Sequence, residues 1–307
     1  MEIKSLKAGV VGAGVFGGFH ASKYAAHDRT ELVGVFDPDV NKARALADKH
    51  GAKPFDTLEH LLAEVDVVTV ASPAVHHFAA AAAALAFGKH VLVEKPVASS
   101  VEEARELINL ASSHGCVLQV GHQERFVFHA MGLLEVPEVP TRIVARRMGP
   151  PSDRNLDVSV TLDLMVHDLD LVIALAGAPI KSVVGKVDEG RFGSPDIAEA
   201  VITFDNGCVA ELISSRIHHE RDRKMQVAYE NGSLNIDFIA KTFENTTSYA
   251  LNANFAETET AKDSLGANVN AFIASVLEGA PVAVPGIAGL RALDAARAID
   301  GEREYGS

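Results

Sequence analysis

Through the first third of the chain, short apolar runs alternate with longer segments of helical period. The apolar runs Ala8–Val11, Leu32–Phe36, Val65–Ala71, His90–Val93 and Cys116–Val120 read as strands. Their near-continuous hydrophobicity suits a sheet covered on both faces. Between them lie helix candidates. One follows a glycine-rich turn after Val11. Asn41–His50 is closed by Gly51, and Thr57–Ala63 is capped by Asp56 or Thr57. Phe78–Phe87 stops at Gly88, and a further helix starts at the overlapping capping boxes Ser99/Glu102 and Ser100/Glu103 and ends near Gly115. Repeated strand and helix predict an α/β fold, a doubly wound Rossmann-type parallel sheet that binds ligands at the carboxyl ends of its strands.

The rhythm changes after Gly121. Thr141–Met148 reads as a strand, Pro150–Ser159 as a polar loop, and Leu162–Ala176 as a helix ending at Gly177. Strand-like runs follow at Ser182–Val187, Ala198–Phe204, Cys208–Ser214, Lys224–Glu230 and Ser233–Phe238, with hairpin turns at Asp205-Asn206-Gly207 and Glu230-Asn231-Gly232. Two helices near Gly266–Leu277 and Gly289–Ile299 finish the chain. This predicts an α+β domain with a mostly antiparallel sheet over 123–307, after a dinucleotide-binding domain over 1–122. The terminal helices are free to pack back on the first domain.

Composition narrows the partners. The 307 residues are 48% hydrophobic and carry a net charge of −13, which argues against general binding to nucleic acid or anionic membrane. An anionic substrate would then need local basic groups, and Arg146, Arg147, Arg154 and Arg216 are candidates. The two cysteines, Cys116 and Cys208, give neither a disulfide framework nor a metal-site spacing. Lys4 and Lys7 precede an apolar stretch, but its glycines and the strand beyond it favour a mature fold over a signal peptide. No segment approaches transmembrane length. The expected location is the cytoplasm, and no metal is expected.

Gly12, Gly14 and Gly17 form G-x-G-x-x-G between a strand and a helix, with Asp37 ending the second strand. The glycines permit a sharp turn, close backbone approach to a pyrophosphate, and tight helix–strand packing. Asp37 would accept from the adenosine ribose hydroxyls and repel a 2′-phosphate, which favours NAD over NADP. Lys95 follows the strand His90–Val93, and Pro96 restricts its backbone, so it stands at the ligand end of the sheet. There it is suited to proton transfer, although an ordinary solvated lysine paired with Glu94 has the same sequence signature. Asp163 and His167 stand four apart, with Asp170 one turn further on. One helical face would present an acid/base imidazole and an orienting carboxylate, or else the acids merely solvate a core helix. A zinc site needs more ligands than this spacing shows. In Gly121-His122-Gln123-Glu124-Arg125-Phe126, Arg125 could grip a carboxylate or phosphate, or make an interdomain salt bridge. His76 and His77, after Ser72-Pro73, suit packing or the cofactor rim.

Together these motifs resemble the Gfo/Idh/MocA family of sugar and cyclitol oxidoreductases. The resemblance runs over nearly the whole chain: Gly12-Ala-Gly-Val15-Phe16-Gly17, Ser72-Pro73 with His77, Glu94-Lys95-Pro96, and Asp163-x-x-x-His167 in a second domain. It implies NAD as cofactor, held by Gly12, Gly14, Val15, Phe16, Gly17, Asp37, Ser72, Pro73, His77, Glu94, Lys95 and Gln123. It implies that Lys95, Asp163 and His167 surround the reacting carbinol, with the lysine or the histidine exchanging the proton, and that these three with Arg125 bind substrate. Within the family the motifs look most like UDP-N-acetylglucosamine 3-dehydrogenases of lipid A and surface-sugar pathways. Those usually continue Arg-Phe with Asn-Pro, where this chain has Val127-Phe128. A free sugar, inositol or dihydrodiol as substrate is the alternative, and a non-catalytic NAD(H)-binding regulator is the rival from another class. Several strands with few helices to cover them also predict a homodimer or homotetramer joined through the second sheet, unless the last helices fold back over it and leave a monomer.

Overall fold

The computed structural model describes residues 5–152, 158–191 and 193–306. Its residues form two compact units, Met1–Gln123 with Asp263–Leu290, and Glu124–Lys262 with Arg291–Ser307. The chain therefore re-enters its first unit late, where the sequence pattern placed a single boundary at 122.

The first unit is a six-stranded parallel sheet of order β3-β2-β1-β4-β5-β6. Its strands are β1 (Leu6–Val11), β2 (Thr30–Phe36), β3 (Lys53–Phe55), β4 (Val67–Val70), β5 (His90–Val93) and β6 (Leu118–Val120). Its helices are α1 (Val15–Ala26), α2 (Val40–His50), α3 (Leu58–Glu64), α4 (His77–Ala86) and α5 (Val101–Ser113). Sequence-coded stops act where expected: Gly51 closes α2 in the left-handed region at φ 68°. Thr57 caps α3, and of the two capping boxes ahead of α5 the Ser100/Glu103 pair is the one that forms. The short β3 was not legible as a strand. It pairs with β2 through Lys53–Phe55 at the sheet edge, and three residues are too few for a periodic signal.

The second unit opens with α6 (Arg125–Met131), which the sequence reading did not predict, and β7 (Arg142–Met148). A five-residue π-helical turn, Thr161–Met165, leads into α7 (Val166–Ala176). The strands β8 (Ile180–Val187), β9 (Ile197–Phe204), β10 (Val209–Ser215), β11 (Asp222–Tyr229), β12 (Gly232–Asp237) and β13 (Thr242–Asn245) follow. With β7 they make a seven-stranded sheet of order β13-β12-β11-β7-β10-β9-β8, antiparallel except for the β7/β10 pair. A single turn, α8 (Glu259–Lys262), precedes α9 (Ser264–Glu278) and α10 (Gly286–Ile299). The inner face of the sheet buries Ile143, Ala145, Ile202, Leu212, Met225 and Val227. The alternate positions Val144, Val184, Val201 and Ile213 face outward, and Val184 is 67% exposed.

The late return is held by packing in the first unit. Val269, Phe272 and Ile273 of α9 are buried in one apolar cluster with Leu6, Ala8, Val10 and Tyr24. Gln119 of β6 donates from Nε2 to the Asn268 carbonyl at 2.8 Å and to its side-chain oxygen at 2.7 Å. Among the described residues, no helix is long and apolar enough to cross a membrane.

Candidate active site

Strand order in the first sheet reverses between β1 and β4, and the glycine turn after β1 lies at that switch point. Gly12 holds φ +99°, and a Cβ there would stand 2.7 Å from the Ser72 amide nitrogen. A Cβ on Gly17 would run into the Gly12 carbonyl oxygen, so α1 approaches the turn only because that position is glycine. Gly14 differs: a Cβ there would meet nothing within 4 Å. It is also the N-cap of α1 and brings no side-chain hydrogen bond, and the first turn carries no acid. By contrast α2, α3 and α5 are capped by Asp39, Thr57 and Ser100. The start of α1 thus keeps unpaired N–H donors and open space beside Gly14, as a pyrophosphate requires. Val15 and Phe16 stand exposed on the same turn, at 61% and 39%. One Asp37 oxygen accepts from the Ala13 amide at 2.7 Å and the other from Asp39 at 2.9 Å. The carboxylate is therefore fixed at the end of β2, with lone pairs left for ribose hydroxyls. These residues fit a dinucleotide.

Lys95 leaves the end of β5 through a cis bond to Pro96. Two buried histidines brace its surroundings. His77 directs Nδ1 to the Pro96 carbonyl at 2.7 Å and Nε2 to the Ser72 carbonyl at 2.8 Å. Only a doubly protonated ring donates to both. Burial pushes the pKa of that ring down, against the pull of the two carbonyls and Glu94. These two contacts tie the Ser72-Pro73 turn to Pro96. His20 of α1 donates from Nε2 to Glu94 at 2.8 Å. Burial raises the Glu94 pKa, but the bond from His20 and the nearby charges on His20, Lys95 and His77 outweigh it and hold the carboxyl below its ordinary range. Gly121 completes this packing, since a Cβ there would lie 2.7 Å from a Glu94 oxygen.

The other candidates belong to the second unit. The π turn matters to them: the Val166 N–H reaches back five residues to the Thr161 carbonyl. Asp163 lies within the turn and His167 just past it, so their spacing is that of a π bulge rather than the regular helix expected from Leu162 onward. Both stay partly exposed while Met165, Val166, Asp168, Leu169 and Asp170 are buried. Asp170 is thus no solvating acid. It takes a bidentate grip from Arg125, both contacts 2.7 Å. That pair lies within one unit and is not the interdomain bridge considered from sequence, and it engages two of the three Arg125 nitrogens.

A charge chain absent from the sequence reading lies beside His167. Arg147 of β7 donates to both Asp168 oxygens, at 2.9 and 2.8 Å, and to both Glu124 oxygens, at 2.9 and 2.5 Å. Glu124 Oε1 is 3.7 Å from His167 Nδ1. Burial raises the Glu124 pKa, but Arg147 and His167 overcome it and hold this carboxyl well below the usual range. Both acids raise the Arg147 guanidinium pKa despite its burial. Glu124 sits in the quoted motif, but its partner on β7 is 23 positions away and no local spacing reveals it. Of the other arginines considered for a diphosphate, Arg146 pairs with Asp222 at 3.2 Å, and Arg216 with Asp196 at 2.6 Å. Arg154 lies outside the described residues.

Comparison with known proteins agrees with both halves. Residues 6–122 match the oxidoreductase family with an NAD-binding Rossmann fold, and residues 142–235 match the GFO/IDH/MocA C-terminal domain. A UDP-N-acetylglucosamine 3-dehydrogenase of Acidithiobacillus ferrooxidans is 35% identical over 300 residues, 95% of each chain. The chain belongs to the Gfo/Idh/MocA family. A solved structure of that Acidithiobacillus enzyme superposes with a TM-score of 0.89 at 34% identity, covering 97% of each chain. A D-glucoside 3-dehydrogenase of Escherichia coli is 32% identical over 250 residues, 70% of this chain and 71% of that one. The WlbA dehydrogenase of Bordetella pertussis, solved with NADH and UDP-GlcNAcA, shares the fold at 19% identity with a TM-score of 0.88, covering 97% of this chain and 96% of that one. Membership makes the first domain an NAD-binding Rossmann fold and the protein an NAD-dependent oxidoreductase.

Proposed function

We propose that this protein oxidises the C3 hydroxyl of a nucleotide sugar, with UDP-N-acetylglucosamine as the first substrate to test. The observation that carries the substrate assignment is likeness to a UDP-N-acetylglucosamine 3-dehydrogenase across 95% of the chain. The chemistry rests on the side chains. Gly12, Gly14, Val15, Phe16, Gly17 and Asp37 hold NAD, with Ser72, Pro73, His77, Glu94 and Gln123 shaping the remainder of its site. When bound, NAD supplies a hydride acceptor. Oxidation of a secondary alcohol to a ketone then releases one hydride from the carbinol carbon and one proton from its hydroxyl.

Lys95 and His167 are the two candidates for that proton, with Asp163 as the substrate-orienting carboxylate. His167 has the stronger support. Glu124, kept ionised by Arg147, stands beside the ring that gains positive charge on taking the proton. Arg125 then acts mainly as a positioning residue, tying the start of α6 to Asp170. General acid/base help of this kind contributes on the order of 10²–10⁴-fold. His167→Ala should lose turnover by that factor, and Lys95→Met should do the same if the lysine shares the proton. Near-normal turnover in both variants removes them from the chemistry.

The same reading extends to assembly and location. The outward Val144, Val184, Val201 and Ile213 form an apolar patch around Glu211, which pairs with Arg142. This favours a homodimer or homotetramer joined through that face. The free thiols of Cys116 and Cys208 suit the cytoplasm.

A further inference from the structure

Among the described residues, one guanidinium near the charge chain has no hydrogen-bonding protein partner. Arg147 satisfies all four oxygens of Glu124 and Asp168. Arg125, Arg146 and Arg216 are engaged by Asp170, Asp222 and Asp196. Arg223 of β11 lies in antiparallel register opposite Arg147. Strand alternation puts it on the same side as Met225 and Val227, the buried inner face. It is partly buried and close enough to feel the charges of Arg147, Glu124, Arg221 and Asp168. Yet among the described residues its side chain has no hydrogen bond and no ion pair.

Taking a guanidinium partly out of water beside a second one is unfavourable unless an anion compensates it. Glu124 and Asp168 together exceed Arg147 by one negative charge, so Arg223 could be their distant counterion. Against that, their oxygens already accept from Arg147, and among the described residues nothing accepts from the Arg223 side chain, whose fork of donors is suited to phosphate. The ligand itself would then bring the missing acceptors.

We infer that Arg223 is the diphosphate anchor of the substrate site, gripping phosphate oxygens of the nucleotide carrier while Asp163 and His167 attend the sugar. This rests on the nucleotide-sugar reading above. It names a specificity-determining residue that a free-sugar dehydrogenase would not need.

Calorimetric titration of the full-length protein with UDP and with inorganic pyrophosphate, with and without NAD, tests the assignment. UDP should bind Arg223→Gln roughly 10–100-fold more weakly than the wild type, the range of a lost charge-assisted contact. Arg223→Lys should recover part of the loss, and NAD affinity should not change in either variant. With no ligand, Arg223→Gln should melt at or above the wild-type temperature, since burial and the neighbouring Arg147 disfavour the charge that it removes. A variant that melts far below the wild type, or does not fold, marks Arg223 as a structural counterion and overturns the inference. So does UDP affinity equal to that of the wild type. If the wild type itself binds neither UDP nor pyrophosphate, the nucleotide-sugar reading fails and the inference falls with it.

Discussion

Replacing His20 by leucine removes the main partner of a buried carboxylate and leaves its burial unchanged. In the wild type, His20 donates to Glu94 at 2.8 Å, and both side chains are buried. Glu94 has a lowered folded-state pKa. Its contribution is therefore present above the unfolded-state pKa and is lost as pH falls through the folded value. In His20→Leu the bond and the His20 charge disappear while desolvation stays, so the folded pKa rises above the unfolded one. The sign then reverses: the unfolded state binds fewer protons between the two values, and stability falls as pH rises. Breaking a buried pair by deleting one member costs about 3–5 kcal/mol when the other stays charged. At about 2–4 °C per kcal/mol, melting near neutral pH should drop by roughly 6–20 °C. The loss should shrink as pH falls through the raised folded value and the carboxyl protonates. Differential scanning calorimetry across this range measures it. The double variant His20→Leu/Glu94→Gln should show a loss that no longer grows with pH. A His20→Leu deficit that is constant with pH, or unchanged by Glu94→Gln, would refute the reasoning and leave only a packing defect.

Glycine substitutions in the turn should separate folding from binding. Gly17→Ala must displace α1 from the Gly12 carbonyl, so it should destabilise the protein in melting experiments, whereas Gly14→Ala meets open space and should melt like the wild type while binding NAD at least about tenfold more weakly. Asp37→Ser combined with Pro38→Arg should shift the preference toward NADP in steady-state kinetics, and a wild type that already prefers NADP contradicts the role of Asp37. Arg147→Met strands Glu124 and Asp168 in the interior and should lower stability by about 3–5 kcal/mol in denaturant titrations. An unchanged midpoint would show that the charge chain is not structural.

The first unit was largely legible because each element carries its own punctuation. Gly51 ends α2, Thr57 starts α3 and Ser100 caps α5, and local backbone chemistry settles each without reference to the rest of the fold. The second sheet was legible as alternating strands, though β13 is short and α6 hides in a motif read for its charges. What stayed hidden depends on distance in sequence. The Arg147–Glu124 and Arg125–Asp170 pairs span 23 and 45 residues, and the pairing of β7 with β11 that brings Arg223 beside Arg147 is set by tertiary register. The π turn at Thr161–Met165 was hidden for another reason: inserting wider hydrogen bonds does not alter the apolar pattern enough to be read. Sequence spacing thus singled out Asp163 and His167 as candidates but not the Glu124–Arg147 pair beside His167.

The central claim is that a hydride leaves C3 of the sugar for NAD. UDP-N-acetylglucosamine carrying deuterium at C3, incubated with the protein and NAD, puts this to a direct test by mass spectrometry of the reduced cofactor. The account predicts monodeuterated NADH together with a 3-keto nucleotide sugar, and a strong loss of both products in His167→Ala. Unlabelled NADH, or labelled sugar recovered unchanged from the wild type, would contradict it.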